Sequence, residues 1–192
     1  MPRRISLLLV TASRETAESI ARAVPADRFA PIRTVPGAGE ARTEMQARLC
    51  DIVVIDAPLA DEAAAHLTAD LSEHNAAGLL LLVDPEQYDA AFDKACACGV
   101  MVLKKPLDPD ALNQALGVLA AAGVKLRKMA DRAETLQAKM DEIQLVNRAK
   151  LLLVQKLRMT EAEAHRFIEK SAMDRCEKRR QIAENIIRTY DN

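Results

Sequence analysis

The chain has 192 residues, 49% of them hydrophobic, and its 27 Lys and Arg nearly balance its 28 Asp and Glu. This size allows one ordinary aliphatic core and a smaller helical appendage. No apolar run is long enough to span a bilayer, and the first ten residues are too short for a signal peptide and lack a cleavage site, so we expect a cytoplasmic protein with no membrane partner.

The first 122 residues alternate apolar, β-prone stretches with patterns of helical spacing. Such alternation is typical of a doubly wound parallel sheet, whose functional edge lies at the carboxyl ends of the strands. We therefore predict an α/β domain with five parallel strands over residues 1–122. The predicted strands are 5–10, 29–35, 51–56, 79–83 and 100–103.

Two residues of this region stand at predicted strand ends: Asp56 closes the third strand, and Lys105, followed by Pro106, closes the fifth. In this order they resemble the receiver domain of bacterial response regulators, a flavodoxin-like fold. The resemblance covers residues 4–122. It implies that Asp56 occupies the phosphoacceptor position and that Lys105 is its partner.

The chemistry of that position departs from the receiver pattern. Phosphoryl transfer to an aspartate needs a divalent cation, and the cation needs carboxylate ligands. Thr11 and Ala12 stand in the place of the family's acidic pair, and Val83 in that of its hydroxyl residue. We therefore predict a pseudo-receiver in which Asp56 has a structural or partner-contacting role, with conventional phosphorylation as the alternative. Two nearby carboxylates that we expect not to replace the missing ligands are Asp51 and Asp84.

A helix over 109–122 is predicted to close this domain, with a break at Gly123. Beyond it, apolar residues alternate spacings of three and four, which is the seam of a coiled coil. We predict a dimerisation helix over residues 123–146 and a homodimer, with Asn147 as a polar seam residue that fixes register. A single amphipathic helix folded back on the front domain is the alternative. The predicted dimerisation residues are Leu126, Met129, Leu136, Met140, Ile143 and Asn147.

Residues 147–192 are predicted to form a small three-helix domain. Thr160 and Glu163 form a helix-opening capping box, and apolar residues at helical spacing, including Phe167 and Ile168, are expected to close a small core. From Gln144 onward there are eleven Lys and Arg against seven Asp and Glu, whereas residues 1–123 have eleven against seventeen. This asymmetry indicates that the C-terminal part meets an acidic partner.

The C-terminal pattern resembles the ANTAR module, the RNA-binding antitermination domain named after amidase and nitrate regulators. The matching residues are Ala149-Lys150 before an aliphatic run and Thr160-x-x-Glu163-Ala164 before a basic helix. RNA binding requires clustered cations that meet phosphates. The candidate RNA-binding residues are Arg148, Lys150, Lys156, Arg166, Lys170, Arg175, Lys178 and Arg179.

The resemblance implies an AmiR/NasT-like transcription antiterminator that binds paired hairpins in nascent leader RNA and prevents a terminator from forming. It further implies control by a ligand-sensing regulatory protein and a role in nitrate or nitrite assimilation or a similar nitrogen-metabolism operon. Three alternatives stay open: a phosphorylation-dependent response regulator that binds DNA, a dimerisation adaptor, and a basic helix whose charged face is merely solvated.

The four cysteines and three histidines lack zinc-ligand spacing, so we expect reduced thiols and neither metal nor cofactor. The sequence contains no Ser/His/Asp or Cys/His arrangement for nucleophilic catalysis, and we therefore expect no enzyme.

Overall fold

The computed structural model describes residues 3–190, which form two compact units divided after Arg127. Among these residues, no helix is both long and apolar enough to cross a bilayer. The strands are β1 (Ile5–Val10), β2 (Phe29–Val35), β3 (Ile52–Asp56), β4 (Gly78–Val83) and β5 (Met101–Lys104). The helices are α1 (Arg14–Ala23), α2 (Ala38–Ala47), α3 (Ala64–His74), α4 (Tyr88–Ala97), α5 (Pro109–Leu157), α6 (Glu161–Arg175) and α7 (Arg179–Tyr190).

The N-terminal unit is built on one sheet whose strands are all parallel, in the order β2-β1-β3-β4-β5. This confirms the predicted five-stranded α/β fold. Val10 pairs with Ile55, and Asp56 pairs with Leu82. Because neighbouring strands run in the same direction, the residues that follow β1, β3, β4 and β5 meet at one edge of the sheet.

Alternate strand residues point to opposite faces, and a separate apolar core covers each face. Leu8, Val53 and Leu81 pack in one core, and Leu7, Ile52 and Leu80 pack in the other. Because both faces are covered, the central strands are continuously apolar, as a buried parallel sheet requires. The first core includes buried residues of α2, α3 and α4, and the second includes those of α1 and α5.

Helix α5 runs without interruption from Pro109 to Leu157, so the break predicted at Gly123 is wrong. A glycine in a helix interior costs only about 1 kcal/mol relative to alanine. Gly123 follows a run of three alanines, the residue type with the highest helix propensity, and the helix therefore continues. All residues from 124 to 140 are exposed.

The C-terminal unit closes its own core between the end of α5 and helices α6 and α7. Leu153, Ala164, Ile168 and Ile182 are buried there, within a cluster that reaches Ile186. Thr160 caps α6 in the predicted box: the Glu163 backbone N–H donates to the Thr160 side chain, and the Glu163 carboxylate accepts from the Thr160 N–H. Phe167 is not part of this core, contrary to expectation, and is 43% exposed.

Candidate acceptor position and nucleic-acid interface

Asp56 is buried at the carboxyl end of β3, and both of its carboxylate oxygens accept hydrogen bonds. The Thr11 hydroxyl donates to one oxygen at 2.7 Å, and the Lys105 ammonium donates to the other at 3.1 Å. Thr11 follows β1 directly and is itself buried, and its oxygen accepts the Ser13 backbone N–H at 3.0 Å. Each oxygen of the Asp56 carboxylate therefore has a hydrogen-bond donor, as buried polar groups require.

Lys105 follows β5 and reaches three acceptors at this edge. Besides Asp56, its ammonium donates to the Ala57 carbonyl and lies 3.3 Å from a carboxylate oxygen of Asp84. Burial disfavours the charged amine, but the hydrogen bonds and charges of Asp56 and Asp84 outweigh it and raise the pKa of Lys105. The peptide bond from Lys105 to Pro106 is cis.

The contact between Asp84 and Lys105 was missed by the sequence reasoning. The signal that could have placed Asp84 beside Lys105 is the strand order. Because β4 lies between β3 and β5, the residue after β4 faces the residues that follow both neighbouring strands. By contrast, Asp51 precedes β3 at the opposite edge and takes no part in this cluster.

The Asp56 cluster differs from a site for the magnesium ion that the receiver resemblance implies. A hard divalent cation needs several oxygen ligands with available lone pairs. Here the groups directed at Asp56 are a hydroxyl donor and an ammonium, and Val83 is buried where a hydroxyl residue would stand. Within residues 3–190, no three His, Cys, Asp or Glu side chains are grouped so as to hold a metal ion. The residues present therefore do not fit magnesium.

The loop that follows Asp56 is held against α2 by two acidic residues. Asp61 accepts the backbone N–H of Gly39 at 3.1 Å, at the start of α2, and Glu62 accepts two hydrogen bonds from the Arg42 guanidinium. A side chain at Gly37 would meet the Asp61 carboxylate at under 3 Å. The contacts of Asp61 and Glu62 with α2 therefore hold this loop in place, and a side chain at position 37 would displace the Asp61 carboxylate.

The predicted RNA-binding residues occupy two kinds of environment in the C-terminal unit. Arg166 and Lys170 lie one helical turn apart on α6 and are exposed, so their charges share one face. The exposed Phe167 is next to Arg166 in sequence on this helix. The other exposed candidates are Arg148, Lys156, Arg175, Lys178 and Arg179.

Lys150 is the exception, because its side chain is only 17% exposed. Its ammonium donates to the Glu161 carboxylate at 2.9 Å, and this hydrogen bond lowers the pKa of Glu161. Arg179 lies 3.6 Å from Glu142 of α5, and Lys150 and Arg179 line the same concavity. The structure thus brings these two candidates together, whereas the others lie on the exposed surfaces of the helices and their connections.

The predicted dimerisation residues lie along α5. Leu126, Met129, Leu136, Met140 and Ile143 are each more than half exposed, and Asn147 is also exposed. A row of large apolar side chains in water is unfavourable and marks a surface that gains free energy when covered.

Comparison with known proteins yields one family match for part of the chain. Residues 134–187 match the ANTAR domain. The matched segment begins within α5, upstream of the boundary at 147 that the sequence predicts. The chain is also 26% identical over 140 residues to the transcriptional regulatory protein PdtaR of Mycobacterium tuberculosis, a match that covers 72% of this chain and 68% of that protein.

Solved structures resemble the N-terminal unit. The signal receiver domain of an HD domain-containing protein from Pseudomonas fluorescens aligns with a TM-score of 0.60 and 22% identity, covering 67% of this chain and 95% of that domain. The chemotaxis response regulator CheY4 of Vibrio cholerae aligns with a TM-score of 0.54 and 16% identity, covering 61% of this chain and 99% of that protein. The N-terminal unit thus shares the fold of receiver domains, and residues 134–187 are similar to ANTAR domains.

Proposed function

We propose that this protein is an RNA-binding regulator that acts by transcription antitermination, with its C-terminal unit as the RNA-binding part. The match of residues 134–187 to the ANTAR domain supports this proposal, because ANTAR domains bind RNA. The observation that carries it further is the exposure of the cations on α6 and around α7. Exposed cations can approach phosphates without first being uncovered.

The first experiment measures binding of the full chain to an RNA that carries two hairpins, in a gel-shift titration at several salt concentrations. Arg166→Ala should weaken binding and lower the salt slope, since each phosphate contact contributes roughly 0.7 to 0.9 to that slope. The matched control is Arg22→Ala, which removes an exposed arginine from α1. Lys150→Ala should also weaken binding. Unchanged affinity for both C-terminal variants, with helical content intact by circular dichroism, would contradict RNA binding through this unit.

Antitermination is the regulatory outcome that we propose for this binding. By stabilising paired hairpins in the leader, the protein would prevent a downstream terminator from forming, and we place the target among operons of nitrate, nitrite or related nitrogen metabolism. In vitro transcription through such a leader should show read-through that rises with the wild-type protein and not with Arg166→Ala. Equal termination with and without wild-type protein would argue against this mechanism.

We further propose that the RNA-binding form is a homodimer joined along α5. The heptad spacing, together with the exposure of the seam side chains, supports a second copy of the same chain as the partner, because identical seams are complementary to each other. Leu136→Glu should halve the mass measured by sedimentation, whereas Ala138→Glu, on the opposite face of the heptad, should leave it unchanged. A monomeric wild-type chain that still binds RNA tightly would rule out the dimer.

The receiver-like domain is, in our proposal, a pseudo-receiver that responds to a ligand-sensing partner protein. The Thr11 and Lys105 contacts to Asp56 support this, because they occupy the carboxylate with donors and supply no cation ligands. Incubation with acetyl phosphate and magnesium should leave the intact mass unchanged. A phosphoryl adduct that disappears in Asp56→Asn would instead favour a phosphorylation-dependent regulator.

A further inference from the structure

Many cations of the N-terminal unit lie at the amino edge of its sheet, opposite the edge that holds Asp56. The segments that precede the five strands lie at this edge. Residues 124–127 of α5 lie there as well, because the Arg127 guanidinium donates at 2.8 Å to Asp51, which precedes β3. We call the exposed cations of these segments the amino-edge surface. They are Arg3, Arg4, Arg28, Arg48, Lys125 and Arg127.

This surface is positive although the unit as a whole is acidic. Residues 1–127 contain 13 Lys and Arg against 17 Asp and Glu. The amino-edge segments hold six of these cations and only two of the carboxylates, Asp27 and Asp51. The rest of the unit therefore holds seven cations against fifteen carboxylates. An anionic partner is attracted to the amino edge and repelled by the remainder of the unit.

Asp51 does little to cancel this charge, because its carboxylate is covered. The Asp51 side chain is 7% exposed, and one of its oxygens accepts hydrogen bonds from the Ser6 backbone N–H and hydroxyl, both at 2.9 Å. Arg3 and Arg127 contact the other oxygen, and their side chains stay 70% and 44% exposed. An approaching molecule therefore meets the two guanidinium groups before the carboxylate.

The strand order brings the other arginines of this surface close together. Arg4 precedes β1, Arg28 precedes β2 and Arg48 lies before β3, and β1 is the strand between β2 and β3. The Ile5 backbone N–H donates to the Arg28 carbonyl at 2.9 Å, which places the first two segments side by side. Neighbouring strands lie about 4.8 Å apart, so the three segments span roughly 10 Å. Cations at this spacing can contact several phosphates of one RNA strand together.

We propose that the amino-edge surface binds the backbone of the RNA that flanks the hairpins held by the C-terminal unit. This inference rests on the proposed RNA-binding function and extends RNA contact to the N-terminal unit. RNA is the favoured partner because both units belong to one chain. Once the hairpins are held, the flanking backbone is present at a high effective concentration, and even a weak second contact raises the affinity. Such phosphate contacts position the RNA without reading its sequence.

The test is a gel-shift titration of the full chain, at several salt concentrations, with an RNA that has two hairpins and single-stranded extensions on both sides. Extensions of about 20 nucleotides exceed a typical single-strand site. Arg4→Ala/Arg48→Ala should weaken binding roughly tenfold at about 0.1 M salt and lower the salt slope by roughly 1.4, since each phosphate contact of a single strand contributes about 0.7. The control Arg14→Ala/Lys104→Ala removes two exposed cations at the opposite edge of the same unit and should change neither quantity.

Two further measurements show whether the effect is electrostatic and confined to the flanking RNA. Arg4→Lys/Arg48→Lys keeps both charges and should retain the salt slope, because lysine also binds phosphate as a point charge. Removing the extensions from the RNA should abolish the effect of Arg4→Ala/Arg48→Ala and leave that of Arg166→Ala. Thermal melting followed by circular dichroism establishes that each variant is folded, as expected for substitutions of exposed side chains.

The outcomes separate this inference from the function on which it rests. If Arg166→Ala weakens binding of the extended RNA but Arg4→Ala/Arg48→Ala behaves as the control does, the inference is overturned and RNA binding by the C-terminal unit stands. If the effect of Arg4→Ala/Arg48→Ala persists without the extensions, the assignment to flanking RNA is overturned. If the wild type binds no hairpin RNA at low salt, both the inference and the proposed function are overturned.

Two other partners would also overturn the assignment to RNA. Leu49 lies among these cations in the segment before β3 and is 91% exposed. If the RNA-free protein binds vesicles of phosphatidylglycerol and phosphatidylcholine, and Leu49→Ala releases it, the surface serves an anionic membrane. If Arg4→Ala/Arg48→Ala lowers the mass measured by sedimentation and leaves the salt slope of RNA binding unchanged, the partner is the acidic remainder of a second copy.

Discussion

Replacing Asp56 separates a structural carboxylate from a phosphoacceptor by the sign of the change in stability. Where several carboxylates crowd an empty cation site, removing one relieves repulsion between like charges and stabilises the fold. Around Asp56 the contacts are instead favourable, from the Thr11 hydroxyl and the Lys105 ammonium. We therefore expect Asp56→Ala to destabilise the N-terminal unit.

The magnitude follows from the two contacts that are lost. A hydrogen bond to a charged acceptor is worth about 1.5 to 3 kcal/mol. Breaking a buried ion pair costs about 3 to 5 kcal/mol, but the Lys105 side chain is 25% exposed and keeps Asp84 and the Ala57 carbonyl as partners. We expect a net loss of about 2 to 4 kcal/mol for Asp56→Ala. Asp56→Asn keeps an acceptor for Thr11 and should lose roughly half as much.

The assay unfolds the full chain in urea and monitors the unfolding of each region by hydrogen exchange and mass spectrometry. Peptides from β1 and β3 report on the N-terminal unit, and peptides from α7 report on the other unit and serve as an internal reference. With a urea dependence of about 2 kcal/mol per molar, the loss should lower the midpoint of the β3 peptides by roughly 1 to 2 M. Asp89→Asn, which neutralises an exposed carboxylate of α4, should shift it little. A higher midpoint for Asp56→Ala than for the wild type would refute the reasoning.

Three further predictions concern contacts elsewhere in the two units. Asp51 accepts the Ser6 backbone N–H at 2.9 Å and an Arg127 guanidinium hydrogen bond at 2.8 Å, and despite burial these contacts hold its pKa below the usual range. The stability that Asp51 supplies is present above about pH 4 and is lost as the pH falls further. Asp51→Asn should therefore reduce the dependence of the stability of the N-terminal unit on acid pH, and an unchanged dependence would contradict this. Leu153→Ala, at a fully buried position, should cost the C-terminal unit about 3 kcal/mol in urea unfolding, and exposed Leu151→Ala is the control. Thr160→Ala should cost about 1 kcal/mol through loss of the cap, measured by thermal melting of α6 helicity, and no change in melting would count against the cap.

The parallel sheet could be predicted because the apolar sequence of its strands agrees with their burial on both faces. Continuous apolar strands at regular separation leave few topologies other than a parallel sheet with helices on both faces. The positions of Asp56 and Lys105 at one edge follow from the same rule, since both come directly after parallel strands. The contact from Asp84 depends on β4 lying between β3 and β5, and the apolar pattern of the strands does not contain that order.

Gly123 and Phe167 differ from the sequence prediction for two separate reasons. Gly123 has the local character of a break, but its alanine neighbours keep α5 helical at small cost. Phe167 is a large apolar residue of the kind that is usually buried in a core. In the folded unit, however, aliphatic neighbours such as Ile168 close the core, and Phe167 stays partly exposed. A helical pattern identifies an apolar stripe but does not show which residue at its margin is covered.

Lys105 and Lys150 were both selected from the sequence as functional cations, and the structure gives both carboxylate partners. The difference lies in what surrounds each pair. The Asp56 side chain is only 9% exposed. If Lys105 moves away, the carboxylate keeps the hydrogen bond from Thr11, but its buried negative charge no longer has a cation beside it. Glu161 can return to water when Lys150 changes partner, because it is exposed at the start of α6. The first pair therefore favours a fixed arrangement at the sheet edge, whereas in the second pair Lys150 can exchange the carboxylate of Glu161 for an RNA phosphate.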